Sequence, residues 1–313
     1  MVSLHQPVLM REALDGLALR DDGWYVDATY GRGGHSAEIL ARLGAHGRLL
    51  ALDKDTQAVA DANQRFDGDS RFMVAHAGFE DLAQVAGAWL GGRALAGILF
   101  DLGVSSPQLD EPARGFSFSV DGPLDMRMNT STGQTAAEWL AVAEYGELVR
   151  VLRNYGEEPR ARQIAAAIVR ERAVTPLTTT KQLAAVIAAA HGGRAKSRLH
   201  PATLAFQAIR IAINDELRAL ERGLAQALEL LGTGGRLAVI SFHSLEDRIA
   251  KRFMAREARG DEAYAGLPNI PPEARPKLKL VGKLIRPGDD EIARNPRARS
   301  ARLRVAERLE TAA

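Results

Sequence analysis

Val26-Asp27-Ala28-Thr29-Tyr30-Gly31-Arg32-Gly33-Gly34-His35-Ser36 decides how this chain is to be read. The run before it, Gly23-Trp24-Tyr25-Val26, has strand character, and Ala37-Glu38-Ile39-Leu40-Ala41-Arg42-Leu43 after it has helical spacing. A strand, a glycine-rich turn and a helix make the first half of a nucleotide-binding α/β unit. The glycines let backbone pass close to a ligand, and the helix N-terminus offers N–H groups that have no partner inside the helix. Two features depart from the dinucleotide-binding version. That version has Gly at the first, third and sixth positions, whereas the sixth position counted from Gly31 is Ser36. An acid, Asp27, also stands at the strand end, where its charge repels a pyrophosphate. The turn therefore suits a ligand that carries an amine or ammonium group, which points to S-adenosylmethionine rather than NAD.

Outward from the turn, the first hundred residues alternate strand and helix. Short apolar runs at 24–28, 48–52, 71–75 and 97–100 read as buried parallel strands, and 36–43, 56–65 and 79–90 as the helices between them. The first, second and fourth strands end in acids: Asp27, Asp53 and Asp101. Ligands of open α/β sheets sit outside the carboxyl ends of the strands, so the three acids are expected to converge on one crevice. Asp53 lies about 20 residues past the turn, where an acid typically accepts hydrogen bonds from a ribose diol. That position identifies an adenosine ligand without choosing between NAD and the methyl donor. Asp27 and Asp101 favour the methyl donor, whose methionine end carries an ammonium and a sulfonium. Phe79, at the start of the helix after the third strand, is placed either to stack on adenine or to fill the core.

After Asp101 the alternation stops. Leu102 through Asp110 is rich in Gly, Ser and Pro, and 114–128 has neither helical nor strand period. Helical signals resume at 135–142, 145–155, 160–171 and 180–190, with an N-cap offered at 178–180. No strand candidate lies between about 105 and 230. A helix at 214–231 then precedes a strand at 234–242, and 277–282 and 301–306 are strand-like enough for a closing hairpin. The expected organisation is an α/β domain made of 1–108 and 212–313, interrupted by a mostly helical insert at 109–211. Arg297 and Arg299, leading into the last strand, suit either phosphate contacts or protection of a sheet edge.

Composition narrows the function classes. The 313 residues are 46% hydrophobic and contain no cysteine, which excludes a disulfide framework and thiolate metal sites. Seven scattered histidines without close pairing argue against a zinc centre. There is no bilayer-spanning apolar run and no secretory signal, so a cytoplasmic, metal-independent protein is expected. The net charge of +2 conceals an asymmetry. Residues 1–149 hold 11 Lys and Arg against 21 Asp and Glu, a balance of −10, and residues 150–313 hold 30 against 18, a balance of +12. An acidic half suits an amine-bearing cofactor, and an arginine-rich basic half suits a polyanion.

Across its length the chain resembles the small-subunit ribosomal RNA methyltransferase H family, also called MraW. The resemblance is carried by His5-Gln6-Pro7-Val8-Leu9, 27–36, 101–110, 114–128, His200-Pro201-Ala202-Thr203, 206–211, Ser241-Phe242-His243-Ser244-Leu245-Glu246-Asp247-Arg248 and 295–300, in order. It implies a Rossmann-like class I methyltransferase sheet with an inserted, mostly helical substrate-recognition domain. The implied activity is methyl transfer from S-adenosylmethionine to the exocyclic N4 of a cytidine in the decoding centre of 16S rRNA. The implied partner is the ribosomal small subunit, with monomer and homodimer both open. By the same resemblance, Gly33, Gly34 and His35 line the methionine and ribose side of the cofactor. Asp53 holds the ribose, Phe79 packs at the adenine, and Asp101 and Gln108 complete the pocket.

The chemistry asks little of a general base, because positioning an amine in line with a methyl sulfonium supplies much of the acceleration. An acceptor at the amine helps localise its lone pair, and Asp101 or a carbonyl of the 102–106 loop is the candidate. Tyr155, Arg198, His200 and Arg210 are candidates for RNA contact. Three other readings remain open on the residues: an amino-methyltransferase of DNA or another RNA, an NAD(P)-dependent oxidoreductase, and a non-catalytic RNA-binding assembly factor.

Overall fold

The computed structural model describes residues 7–192, 200–264 and 269–310; His5, Gln6 and Arg198 lie outside them. Among the described residues, seven strands form one sheet: β1 (Trp24–Asp27), β2 (Arg48–Asp53), β3 (Phe72–His76), β4 (Leu95–Asp101), β5 (Leu231–Ser241), β6 (Leu278–Ile285) and β7 (Arg302–Arg308). Their spatial order is β3-β2-β1-β4-β5-β7-β6. The pairs among β1 to β5 are parallel, and β7 runs antiparallel to both β5 and β6. The order reverses between β1 and β4, and the crevice at such a switch point is where open α/β sheets take their ligands. The parallel half follows the Rossmann order, with the antiparallel β7 inserted between β5 and β6.

Both sheet faces are covered, so the central strands are apolar throughout. Val26, Leu50, Ile98, Phe100 and Leu237 pack into one core with the helices Leu82–Leu90 and Glu216–Leu230. Their sequence neighbours Tyr25, Leu49, Leu99 and Ala238 pack into the other with Met10–Leu17 and Gly34–Arg42. This is the period-2 alternation of a strand applied to two buried faces. Each fully buried Leu or Ile contributes roughly 1.5–3 kcal/mol. No described helix is long and apolar enough to cross a membrane.

The chain divides into two compact units, Met1–Gly103 with Leu217–Ala313, and Val104–Glu216. The sequence-based limits were 109 and 211, against 104 and 216 here. The second unit is helical, built on Ala136–Val142, Tyr145–Gly156, Ala161–Arg172, Thr180–Ala190 and Thr203–Asn214. Leu140, Leu148, Ile164, Ile168, Leu183 and Ile209 are among its fully buried side chains. The aperiodic 114–128 stretch is held by an isolated antiparallel bridge, Pro123 to Thr179, and by side chains. Asn214 accepts from the Met128 N–H at 2.7 Å and donates to the Met126 carbonyl at 2.8 Å.

One expected helix begins late. Residues 79–90 split into a 3₁₀ turn, Phe79–Asp81, and the α-helix Leu82–Leu90, because Asp81 (φ −106°, ψ 12°) leaves the helical region. The closing hairpin is present as β6 and β7, with β6 at the edge. β7, the strand that Arg297 and Arg299 lead into, is paired on both sides and is not itself an edge.

Candidate functional site

The turn after β1 is fastened to both neighbouring strands. The Ala28 N–H donates to the Leu99 carbonyl (2.8 Å), the Tyr30 N–H to the Leu52 carbonyl (2.9 Å), and the Asp101 N–H to Thr29 Oγ1 (2.6 Å). Gly33 caps the helix Gly34–Arg42 at φ 63°, a conformation an L side chain rarely adopts, and a Cβ there would strike the Tyr30 ring. A Cβ on Gly34 would strike Pro7. Internal packing therefore accounts for both glycines. It also explains the N-terminal motif, since Pro7 seats on Gly34 and the Val8 carbonyl lies 3.2 Å from His35 Nε2.

The two departures from the dinucleotide pattern are bonded to each other. Ser36 Oγ donates to Asp27 Oδ2 at 2.7 Å, and the Thr29 N–H donates to Oδ1 at 3.2 Å. Asp27 and Ser36 are both 0% exposed. Asp27 is thus closed off by its full burial, and its expected role opposite a ligand ammonium is corrected. Burial pushes its carboxyl above the usual carboxylate range, against the opposing pull of the His35 charge, the Ser36 hydroxyl and the Thr29 N–H.

His35, 5% exposed, stands between two acceptors: Nε2 near the Val8 carbonyl, and Nδ1 3.4 Å from Asp101 Oδ2. Only a ring carrying both protons satisfies both. Burial pulls its pKa down, but the hydrogen bond and charge of Asp101, the charge of Asp27 and the Val8 carbonyl outweigh it, and the net shift is upward. Asp101 Oδ1 is buried and has no hydrogen-bond partner among the described residues. With both carboxyls ionised and His35 protonated, the cluster carries one net negative charge. A buried, unpaired carboxylate oxygen is costly unless a donor reaches it. The cluster fits a cationic nitrogen.

Asp53 sits beside this cluster in the sheet. Its Oδ2 accepts from the Gly31 N–H (2.7 Å) and its Oδ1 from the Asp55 N–H (2.8 Å). Burial pushes its pKa up to about 6, against the two backbone donors and with help from the charges of Asp55 and Asp27. Phe79 is half-buried, edge-on to Phe100 with ring centroids 5.6 Å apart, and Lys54 Nζ lies 5.7 Å from its ring centre. The Lys54 ammonium pairs with Glu80 at 2.6 Å, a contact that sequence reading did not single out. Gln108 belongs to the second unit, is 5% exposed, and accepts from the Ser105 N–H at 2.9 Å in a capping box.

The RNA candidates divide. Arg210 makes a bidentate pair with Glu216, 2.8 Å at each contact and largely buried, which is a structural role inside the second unit. Tyr155 packs half-buried against that unit's core. His200 is exposed and lies 4.6 Å from the Phe118 ring centre; its Nδ1 accepts from the Ala202 N–H, leaving Nε2–H as the donor. Arg198 is outside the described residues. Sequence reading also left unexplained the 241–248 motif, whose Asp247 bonds Arg302 and Arg304 of β7 at 2.9 and 2.7 Å.

The MraW methylase family model matches residues 2–309. The chain belongs to that family. Curated relatives named ribosomal RNA small subunit methyltransferase H match it nearly end to end. The protein of Nitrosococcus oceani is 56% identical, covering 98% of each chain. That of Thioalkalivibrio sulfidiphilus is 55% identical over 97% of each, and that of Nitrosospira multiformis 54% over 98% of each. A solved putative rRNA methylase from Clostridium thermocellum covers 98% of this chain and all of its own at 12% identity and TM-score 0.47, a likeness too distant to bear on function.

Proposed function

We propose that this chain transfers a methyl group from S-adenosylmethionine to the exocyclic N4 of a cytidine in the decoding centre of small-subunit rRNA. The observation that carries the cofactor reading is the Asp27–His35–Asp101 cluster, in which Asp101 Oδ1 is buried and lacks a donor among the described residues. The RNA substrate is supported by the names of the relatives and by the balance of +12 over 150–313.

In this reading Asp101 Oδ1 accepts from the cofactor's ammonium. The first-turn N–H groups of Gly34 and His35 suit its carboxylate, and Asp53 takes the ribose diol. Phe79 lies against the adenine. The bound cofactor supplies a methyl carbon on a cationic sulfur, so attack by the amine nitrogen breaks the carbon–sulfur bond and leaves the electron pair on sulfur. His35 contacts Asp101 Oδ2, and Oδ1 is buried without a partner among the described residues, so we assign Oδ1 to the cofactor rather than to the target amine. Catalysis then rests on alignment, and the amine sheds its proton after transfer. The helical unit, Val104–Glu216, is the proposed substrate-recognition domain.

The substrate class is tested by incubating the protein with labelled cofactor and, separately, isolated small subunits, naked rRNA and DNA. Label confined to rRNA supports the proposal. Label in DNA favours the broader amino-methyltransferase reading, and no label in any substrate favours a binding factor.

A further inference from the structure

Besides its backbone N–H at the start of a helix, His35 brings a buried side chain to the cluster. The ring is buried, and each nitrogen is matched to an acceptor on a different segment, Val8 before the first helix and Asp101 at the end of β4. A side chain that contacted a ligand would keep one nitrogen available; this one spends both on the protein. The effect on Asp101 is specific. Its main-chain N–H is held by Thr29 Oγ1 at 2.6 Å and its Oδ2 faces the imidazole, so Oδ1 is the oxygen without a partner among the described residues. We propose that His35 is a positioning residue that acts through Asp101: its doubly bonded imidazolium fixes the carboxylate and leaves Oδ1 as the acceptor for the ligand's ammonium.

The groups that face the ring are Asp101 from β4, Asp27 from β1 and the Val8 carbonyl from the N-terminal segment. One residue beyond Val8, the Leu9 N–H donates to Glu291 at 2.8 Å, which anchors that segment from the helix Asp289–Arg294. Two carboxylates against one carbonyl dipole favour the charged ring, in agreement with its raised pKa. If the imidazolium is lost, Asp27 and Asp101 face each other without the counter-charge between them. Asp27 is held in place by Ser36 and Thr29, so Asp101 is the carboxylate whose rotamer is released.

The inference rests on the reading of Asp101 as the ammonium acceptor, and two measurements separate the failure of one from the failure of the other. The first is a nuclear magnetic resonance titration of His35 in the ligand-free protein, wild type and Asp101→Asn. The expected result is a ring still protonated above the ordinary histidine value of about 6.5, moving down in Asp101→Asn. A wild-type ring that titrates at or below that value overturns the proposal without any reference to ligand, and stands even if His35 variants do not fold. The second is calorimetric binding of S-adenosylhomocysteine, which keeps the ammonium, to wild type, His35→Ala, Asp101→Asn and the double variant. His35→Ala is expected to weaken binding about tenfold in the wild-type background and to add almost nothing in Asp101→Asn. An undiminished His35→Ala effect in the Asp101→Asn background shows that His35 acts elsewhere. Normal binding by Asp101→Asn itself refutes the ammonium assignment and with it the positioning role.

Discussion

Replacing Ser36 by alanine isolates the bond that joins the two departures from the dinucleotide pattern. Ser36 Oγ is 2.7 Å from Asp27 Oδ2, and neither residue is exposed. A hydrogen bond to a charged partner contributes about 1.5–3 kcal/mol, and its removal here strips a donor from a buried carboxylate that water does not reach. Ser36→Ala is therefore expected to destabilise the α/β unit by about 2 kcal/mol at neutral pH, with the smaller side chain adding little. The pH dependence follows from the sign of the Asp27 shift. Burial already raises its carboxyl, so the folded state holds the proton more tightly than the unfolded chain, and stability falls as pH rises through the window above the usual carboxylate value. Loss of the Ser36 hydroxyl, one of the groups that lowers that pKa, widens this window upward. The penalty should be larger at pH 8 than at pH 5, where more of Asp27 is protonated. Urea denaturation of wild type and variant at both pH values measures it. A loss below about 0.5 kcal/mol, within the range of ordinary surface substitutions, or one equal at both pH values, refutes the reasoning.

Two further outcomes follow from named groups. Asp53, with its pKa near 6, accepts best when ionised, so S-adenosylhomocysteine affinity should rise with pH through about 6 and level off above it, and Asp53→Asn should flatten that limb; calorimetry between pH 5 and 8 reads both. Arg210→Ala should cost about 3 kcal/mol in unfolding experiments by leaving Glu216 buried without its cation, while the salt dependence of RNA binding stays as in wild type. A slope reduced by about one with stability unchanged would mean that Arg210 contacts phosphate instead.

Where local pattern governs structure, the fold was legible. The strands of the first hundred residues and four helices of the insert follow from apolar period, though Thr203–Asn214 was not expected, and the three acids at strand ends lie at the switch point or next to it, because strand order places them there. What the pattern could not tell was which acid points where. Asp27 and Asp101 look equivalent in sequence, yet one is closed off by Ser36 and Thr29 and the other keeps an oxygen without a donor. That difference depends on long-range partners: Val8 and Asp101 meet His35 across 27 and 66 residues of sequence. The helix Ser244–Arg259 carried no recognised start, because its N-cap is His243, whose ring nitrogen does the work usually given to a hydroxyl or carboxylate. Met10–Leu17 was missed for a similar reason, since it begins after Leu9 in a left-handed conformation with no side-chain cap. Arg210 reads as an exposed cation on a basic segment, and only the return of Glu216 six residues later turns it inward.

The central claim concerns one atom of one base, so the most direct measurement is mass mapping of small-subunit rRNA after reaction with labelled S-adenosylmethionine. The account predicts a single labelled cytidine in the decoding centre, carrying its methyl on N4. Label on a ribose, on a ring carbon or on another base would contradict it.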